Sequence, residues 1–288
     1  INLTFKTSGT KSQNKSAKKS ERIYLVKFIN IIIFLLLFII YYFPFRRNPT
    51  SSQLLVINNA NSITSSNFNA KVPTVVLVHG WLGKQSTDSN SLIRDSYLGK
   101  SDVNVIVMDW RRLATNPYYP AAARGVPAIG RGLGQFLAFL NKVTGAPFNS
   151  MHLVGFSLGA HVVGNAGKEL GGRIARLDPA GPLWSSNPDR LSPSDAIYVE
   201  AIHTDGGIAG LGIGTAVGNA DFFPNGGTSQ PGCLTSICDH NRAWELFAAT
   251  VTHNHLVGIQ CQNMREVSRN NCNGSRLNMG NDDINKRG

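Results

Sequence analysis

A chain of 288 residues, 42% of them hydrophobic, is long enough to bury one large core. Its formal net charge of +11 is concentrated at the start: residues 1–47 hold nine Lys/Arg against one acid, and residues 48–288 hold nineteen against sixteen. A body so nearly balanced, with no basic stripe of interleaved aromatics, argues against a nucleic-acid partner.

Residues 1–22 read as a basic polar tail and 23–45 as a hydrophobic segment, unbroken from Ile31 to Phe43 and followed by Pro44 and Arg46-Arg47. Its length falls between a signal-peptide core and a membrane span, and no small-x-small cleavage site follows. A signal peptide or a signal anchor is expected, and the heavier positive charge before the segment places the body in the lumen or exterior. The chain opens with Ile rather than Met, so these first residues read equally as a fragment or an overextended translation. Residues 46–70, rich in Asn, Ser and Thr, are expected to be a polar linker and the start of a domain that fills 71–288.

Within that domain apolar runs at 74–78, 103–108, 151–154, 174–177 and 196–202 predict strands. Helix-compatible spacing predicts helices over 126–143, 160–170 and 242–251, while the glycine-dense 206–227 reads as a long surface loop. Strands alternating with helices predict an α/β fold with a mostly parallel sheet flanked by helices. Four cysteines suit an oxidising compartment, and sequential pairing, Cys233-Cys238 and Cys261-Cys272, is the simplest of three connectivities. Their spacing does not match a zinc site. The sequon Asn273-Gly274-Ser275 is compatible with secretion.

The chemistry centres on Gly155-Phe156-Ser157-Leu158-Gly159, between the predicted strand 151–154 and the predicted helix 160–170. A serine on such a turn is a candidate nucleophile, and it needs a base with an orienting acid, in the chain order Ser, Asp or Glu, then His. Asp178, at the end of a predicted strand in Leu177-Asp178-Pro179-Ala180-Gly181-Pro182, is the candidate acid. His79, His152 and His161 precede or flank the serine, and His253 and His255 sit near a helix end. Order and context leave His203 and His240 open as the base, the latter on a loop after the cysteine pair. Candidate oxyanion donors are the backbone N–H of Leu158 and that of Trp81, in His79-Gly80-Trp81 after an early strand.

Further segments extend these: Val78-His79-Gly80-Trp81-Leu82-Gly83, Asp109-Trp110, Gly159-Ala160-His161, Ile202-His203-Thr204-Asp205-Gly206, Asp221 to Gly227, and Cys238-Asp239-His240-Asn241-Arg242-Ala243. Together, and in this order, the chain resembles the pancreatic lipase family of triacylglycerol lipases and phospholipases A1. The resemblance implies the α/β-hydrolase fold, with Ser157 as nucleophile, Asp178 as acid, His240 as base, and Trp81 and Leu158 as oxyanion donors. It makes 71–288 a lipase catalytic domain, without the family's C-terminal β-sandwich, so no colipase is expected. The substrate implied is a glycerolipid or phospholipid at a membrane or lipid interface, and the protein is expected to be a secreted or membrane-anchored monomer. Only Leu234 to Ile237 lie between Cys233 and Cys238, where the family carries a lid. A lid so short goes with phospholipase A1 or with lipases not gated by an interface, triacylglycerol lipase remaining the alternative. No cofactor is expected: the family's calcium stretch corresponds to 187–195, which keeps Arg190 and Asp195 but has Asn187 and Ser192 where carboxylates would stand. A non-enzymatic lipid carrier or yolk-type relative is the rival from another class.

Overall fold

A computed structural model of the chain describes residues 40–45, 48–172, 179–283 and 286. The predicted strand 174–177 and the candidate acid Asp178 lie outside the described residues, as do 1–39, which hold most of the expected signal or anchor. Among the described residues no helix is long and apolar enough to cross a membrane.

The sheet at the centre has five strands in the order β2-β1-β4-β3-β5. They are β1 (Ile40–Phe45), β2 (Asn48–Leu55), β3 (Thr74–Val78), β4 (Asn104–Asp109) and β5 (Met151–Gly155). The parallel core is β4-β3-β5, with Val75 opposite Val105 and His152. Strands β3 and β4 are buried along their whole length, which is why they read as continuous apolar runs. The expected parallel sheet is found in this core, and at its first edge β1 adds antiparallel pairing with both β2 and β4. The end of the segment expected to be a signal or anchor, and the polar stretch expected to be a linker, therefore supply two strands. Paired backbone makes a strand of a polar sequence such as Asn48 to Leu55 that hydropathy alone leaves unassigned.

Helices cover both faces. On one side α2 (Asp88–Lys100) and α6 (Ser236–His253) pack Ile93, Tyr97, Phe247 and Val251 against Val75, Leu77, Val105 and Val107. On the other, α5 (Leu158–Glu169) lies against β3 and β5, and α4 (Tyr119–Thr144) lies against α5. Short helices α1 (Ala60–Thr64), α3 (Arg111–Ala114) and α7 (Met264–Arg269) complete the set. The strand expected over 196–202 is only three residues, β6 (Glu200–Ile202). It pairs in parallel with β7 (Ala220–Phe222), inside the stretch expected to be a loop. β8 (Val257–Ile259) and β9 (Arg276–Asn278) form an antiparallel ribbon.

Candidate active site

β5 ends at Gly155 and α5 begins at Leu158, leaving two residues to reverse the chain. Ser157 takes φ 58° and ψ −124°, a conformation that costs a non-glycine residue about 1–3 kcal/mol. The two flanking glycines make room for it. A Cβ on Gly155 would lie 2.7 Å from the Ala160 nitrogen, and one on Gly159 would lie 2.7 Å from the His79 carbonyl oxygen. Phe156 N–H donates to the Val78 carbonyl at 3.0 Å, tying the turn to the end of β3.

The segment after β3 is pressed against the serine. A Cβ on Gly80 would fall 2.7 Å from Ser157 Cβ and 3.0 Å from the Phe156 carbonyl. A lock between the ends of β3 and β4 holds this segment. The Trp110 indole donates to the His79 carbonyl at 2.8 Å, Trp110 N–H donates to His79 Nε2 at 3.1 Å, and the two rings stack. Beside it Asp109 pairs with Arg111 through Nε at 2.7 Å. Burial pushes the Asp109 carboxyl up, but the His79 ring and Arg111 offset this and hold it below the usual carboxylate range. Downstream, Trp81 Nε1 donates to the Asn116 carbonyl at 2.8 Å and Leu82 N–H to the Ala114 carbonyl at 2.8 Å. Among the described residues, no acceptor takes the backbone N–H of Trp81 or of Leu158.

The described chain resumes at Pro179, and the next residue is held at the elbow: Ala180 N–H donates to the Ser157 carbonyl at 3.1 Å. The Ala180 carbonyl is 2.8 Å from Nε2 of His161, whose ring stacks on Trp184. His161 is fully buried and its pKa is pulled down to about 3 by desolvation.

His240 is not on a loop, as expected, but inside α6. Thr235 caps that helix, its hydroxyl accepting from Cys238 N–H at 3.3 Å, so the helix starts six residues before the expected Arg242 and runs through the cysteine segment. The imidazole lies 4.6 Å, ring centre to ring centre, from Phe156, the neighbour of Ser157. Its Nε2 is buried without a hydrogen-bond partner among the described residues, and desolvation lowers its pKa to about 4. The helix start is fastened by the Cys233–Cys238 disulfide, by the Ser236 hydroxyl on the Asp205 carboxylate, and by Gln230 N–H on Asp239 at 2.5 Å. The second disulfide, Cys261–Cys272, is also formed. His203, the other histidine left open by chain order, is engaged at both ring nitrogens, with the Ile213 carbonyl at 2.7 Å and Asp221 at 2.9 Å. It stacks on Phe223, away from any free proton-transfer role.

The structure thus brings Ser157, Gly80-Trp81, Leu158 and His240 to one end of the parallel strands. Two parts of this arrangement had no role in the sequence reading: the Trp110–His79 lock and the Phe156 ring beside His240. Asp109-Trp110 at the end of an apolar run signals the first, and Phe156 within the serine motif the second. Residues 4–287 match a family model described as Lipase. The chain is 36% identical over 224 residues to pancreatic lipase-related protein 2 of Homo sapiens, covering 73% of this chain and 48% of that protein. It is 37% identical over 241 residues to phospholipase A1 member A of Bos taurus, with 78% and 51% covered. Against the pancreatic triacylglycerol lipase of Myocastor coypus it is 33% identical over 256 residues, with 79% and 56% covered. The chain spans about half the length of these relatives.

Proposed function

The chain belongs to the lipase family, and from that premise we propose that it is a carboxylic ester hydrolase of glycerolipids with Ser157 as its nucleophile. The observation that carries the reading is the elbow itself: a strained serine at a strand end, at a helix N-terminus, with the Gly80 backbone against it and a buried, neutral imidazole next to its neighbour. Ser157 Oγ attacks the ester carbonyl carbon while His240 accepts the hydroxyl proton. The tetrahedral oxyanion is held by the Trp81 and Leu158 N–H groups, and His240 returns the proton to the departing alcohol. Water, deprotonated by the same imidazole, then attacks the acyl-enzyme, and the imidazolium gives its proton to Ser157 Oγ as the C–Oγ bond breaks and the fatty acid leaves. Asp178 is assigned as the acid that orients His240, on its chain order and its place in the Leu177-Asp178-Pro179 motif.

Within this class we assign phospholipase A1 activity, release of the sn-1 acyl chain, on the segment between Cys233 and Cys238. Of its four residues, Thr235 caps α6 and Ser236-Ile237 begin it, and the side chains of Leu234 and Ile237 are turned to solvent. A segment that short offers no apolar cover for the site. Identity to relatives named phospholipase A1 and triacylglycerol lipase is close to equal and does not choose between them. The two disulfides support an oxidising compartment, and we assign the body to the secreted or membrane-anchored class, working as a monomer. The test is turnover of labelled phosphatidylcholine and triolein side by side by the full chain and by Ser157→Ala. Ser157→Ala should lose on the order of 10³-fold or more in turnover and all labelling by a fluorophosphonate. Retained activity refutes the nucleophile, no labelling of the unaltered chain favours a lipid carrier, and release from triolein alone refutes the phospholipase assignment.

A further inference from the structure

Behind the nucleophile, the segment 187–195 runs along α5 and is fastened to it by polar contacts. Asn165 Nδ2 donates to the Asp189 carbonyl at 2.8 Å, and Leu191 N–H donates to His161 Nδ1 at 3.1 Å. The last contact is made by a cation. Lys168 Nζ donates to the Arg190 carbonyl at 2.8 Å and to Asp195 Oδ2 at 2.6 Å. Asp195 is almost wholly buried, at 2% exposure, and its remaining capacity is taken by Ser192, whose N–H and hydroxyl reach it at 2.9 and 2.7 Å. The helix offers no obstruction, since a Cβ on Gly164 would lie 2.9 Å from Asp195 Oδ2.

A carboxylate and a main-chain carbonyl converging on one point is a cation-binding arrangement, and these are the two residues retained from the calcium stretch. The other oxygens do not converge. Asn187 Oδ1 accepts from Asp189 N–H at 2.9 Å, and the Ser192 hydroxyl donates to Asp195 rather than facing the shared point. Calcium takes six to eight oxygens at about 2.3–2.6 Å; here two oxygens sit at ammonium distance from a lysine nitrogen. We propose that the Lys168 ammonium is the resident cation of this segment, replacing a divalent ion, so that the protein neither binds nor needs calcium there. The lysine then fixes the far end of the stretch that leads from Ala180, whose N–H is held by the Ser157 carbonyl, and it does so without a dissociable ligand. This inference does not rest on the hydrolase reading, and its test has no activity readout.

Calcium is titrated calorimetrically into the full chain, and thermal melts are compared in chelator and in millimolar calcium. The unaltered chain should give no binding heat and one melting temperature in both. Lys168→Ala should melt about 3–6 °C lower in either buffer, because it leaves the Asp195 carboxylate buried without its cation. Lys168→Met, which keeps the reach of the side chain but not its charge, should melt as low as Lys168→Ala and likewise gain nothing from calcium. Should Lys168→Ala fail to fold, Lys168→Arg, which keeps the charge, should still melt within about 2 °C of the parent. Calcium binding by the unaltered chain, an unshifted Lys168→Ala, an unfolded Lys168→Arg, or a Lys168→Met that melts like the parent each overturns the proposal.

Discussion

At Gly80 the space a methyl group would need is already occupied by the serine: the added carbon would lie 2.7 Å from Ser157 Cβ and 3.4 Å from its Oγ. Neither neighbour can yield cheaply. Ser157 is held at φ 58° by the reversal between β5 and α5, and the Gly80 segment is held by the Trp110–His79 lock on its other side. Gly80→Ala must therefore push the Trp81 amide away from the serine, and one misplaced oxyanion donor costs about 10²–10³ in turnover. The expected outcome is a loss of at least about 100-fold in kcat on a short-chain ester, accompanied by an overpacking cost of about 1–3 kcal/mol in stability. Equal turnover by Gly80→Ala would remove the Trp81 amide from the oxyanion site. The same residue scale shows what the sequence could not supply. Chain order left His203 and His240 open, because the partners that occupy His203, Ile213 and Asp221, come from a glycine-dense stretch with no periodicity of its own.

At the scale of elements, the strands buried on both faces and the helix spacing were legible, since β3, β5 and most of α4 carry their pattern in apolar side chains. The boundaries were less so. α4 starts at Tyr119 rather than 126, its first turns being Pro120 and alanines that carry no periodic signal. β6 and β7 are three residues each, too short for alternation to register. The contact that sets the α4–α5 distance is another feature that hydropathy conceals. A Cβ on Gly130 would lie 2.5 Å from the Val162 carbonyl, backbone that cannot rotate away. Gly130→Ala should cost about 1–3 kcal/mol through overpacking, outweighing the gain of about 1 kcal/mol in helix propensity. Gly99 in α2 has nothing within 4 Å of its Cβ position, so Gly99→Ala should gain a few tenths of a kcal/mol up to about 1. Urea melts of the two variants should move in opposite directions; if both stabilise, close backbone approach is not what sets the packing of α5, the helix behind Ser157.

Over the whole molecule, the two buried histidines next to the elbow set an acid limit to stability that differs from the acid limit to chemistry. Burial lowers His240 to about 4 and His161 to about 3, whereas in the unfolded chain each takes up a proton near 6.5. Between pH 6.5 and those lower values the unfolded state holds more protons than the folded one, so stability rises with pH and is lost on acidification. Each histidine contributes up to about 1.4 kcal/mol per pH unit in that window. Asp109, held below its usual range, adds loss of the same sign only at still lower pH. Turnover by the folded molecules obeys a different condition: under the proposed mechanism it needs His240 unprotonated, and burial keeps it so well below pH 6.5. The expectation is that kcat/KM per folded molecule changes little from pH 7 to 5, while the free energy of unfolding falls by about 2 kcal/mol for each of the two histidines, roughly 4 kcal/mol together. His161→Gln should reduce that slope by about one proton, because the replacement has nothing to titrate. Urea unfolding at a series of pH values, paired with initial rates on a soluble ester, separates the two limits. A flat stability profile over this range would mean that neither imidazole is buried neutral. An acid limb of kcat/KM centred at 6.5 would mean that substrate meets a solvated base, and Phe156 would then not shield the imidazole during turnover.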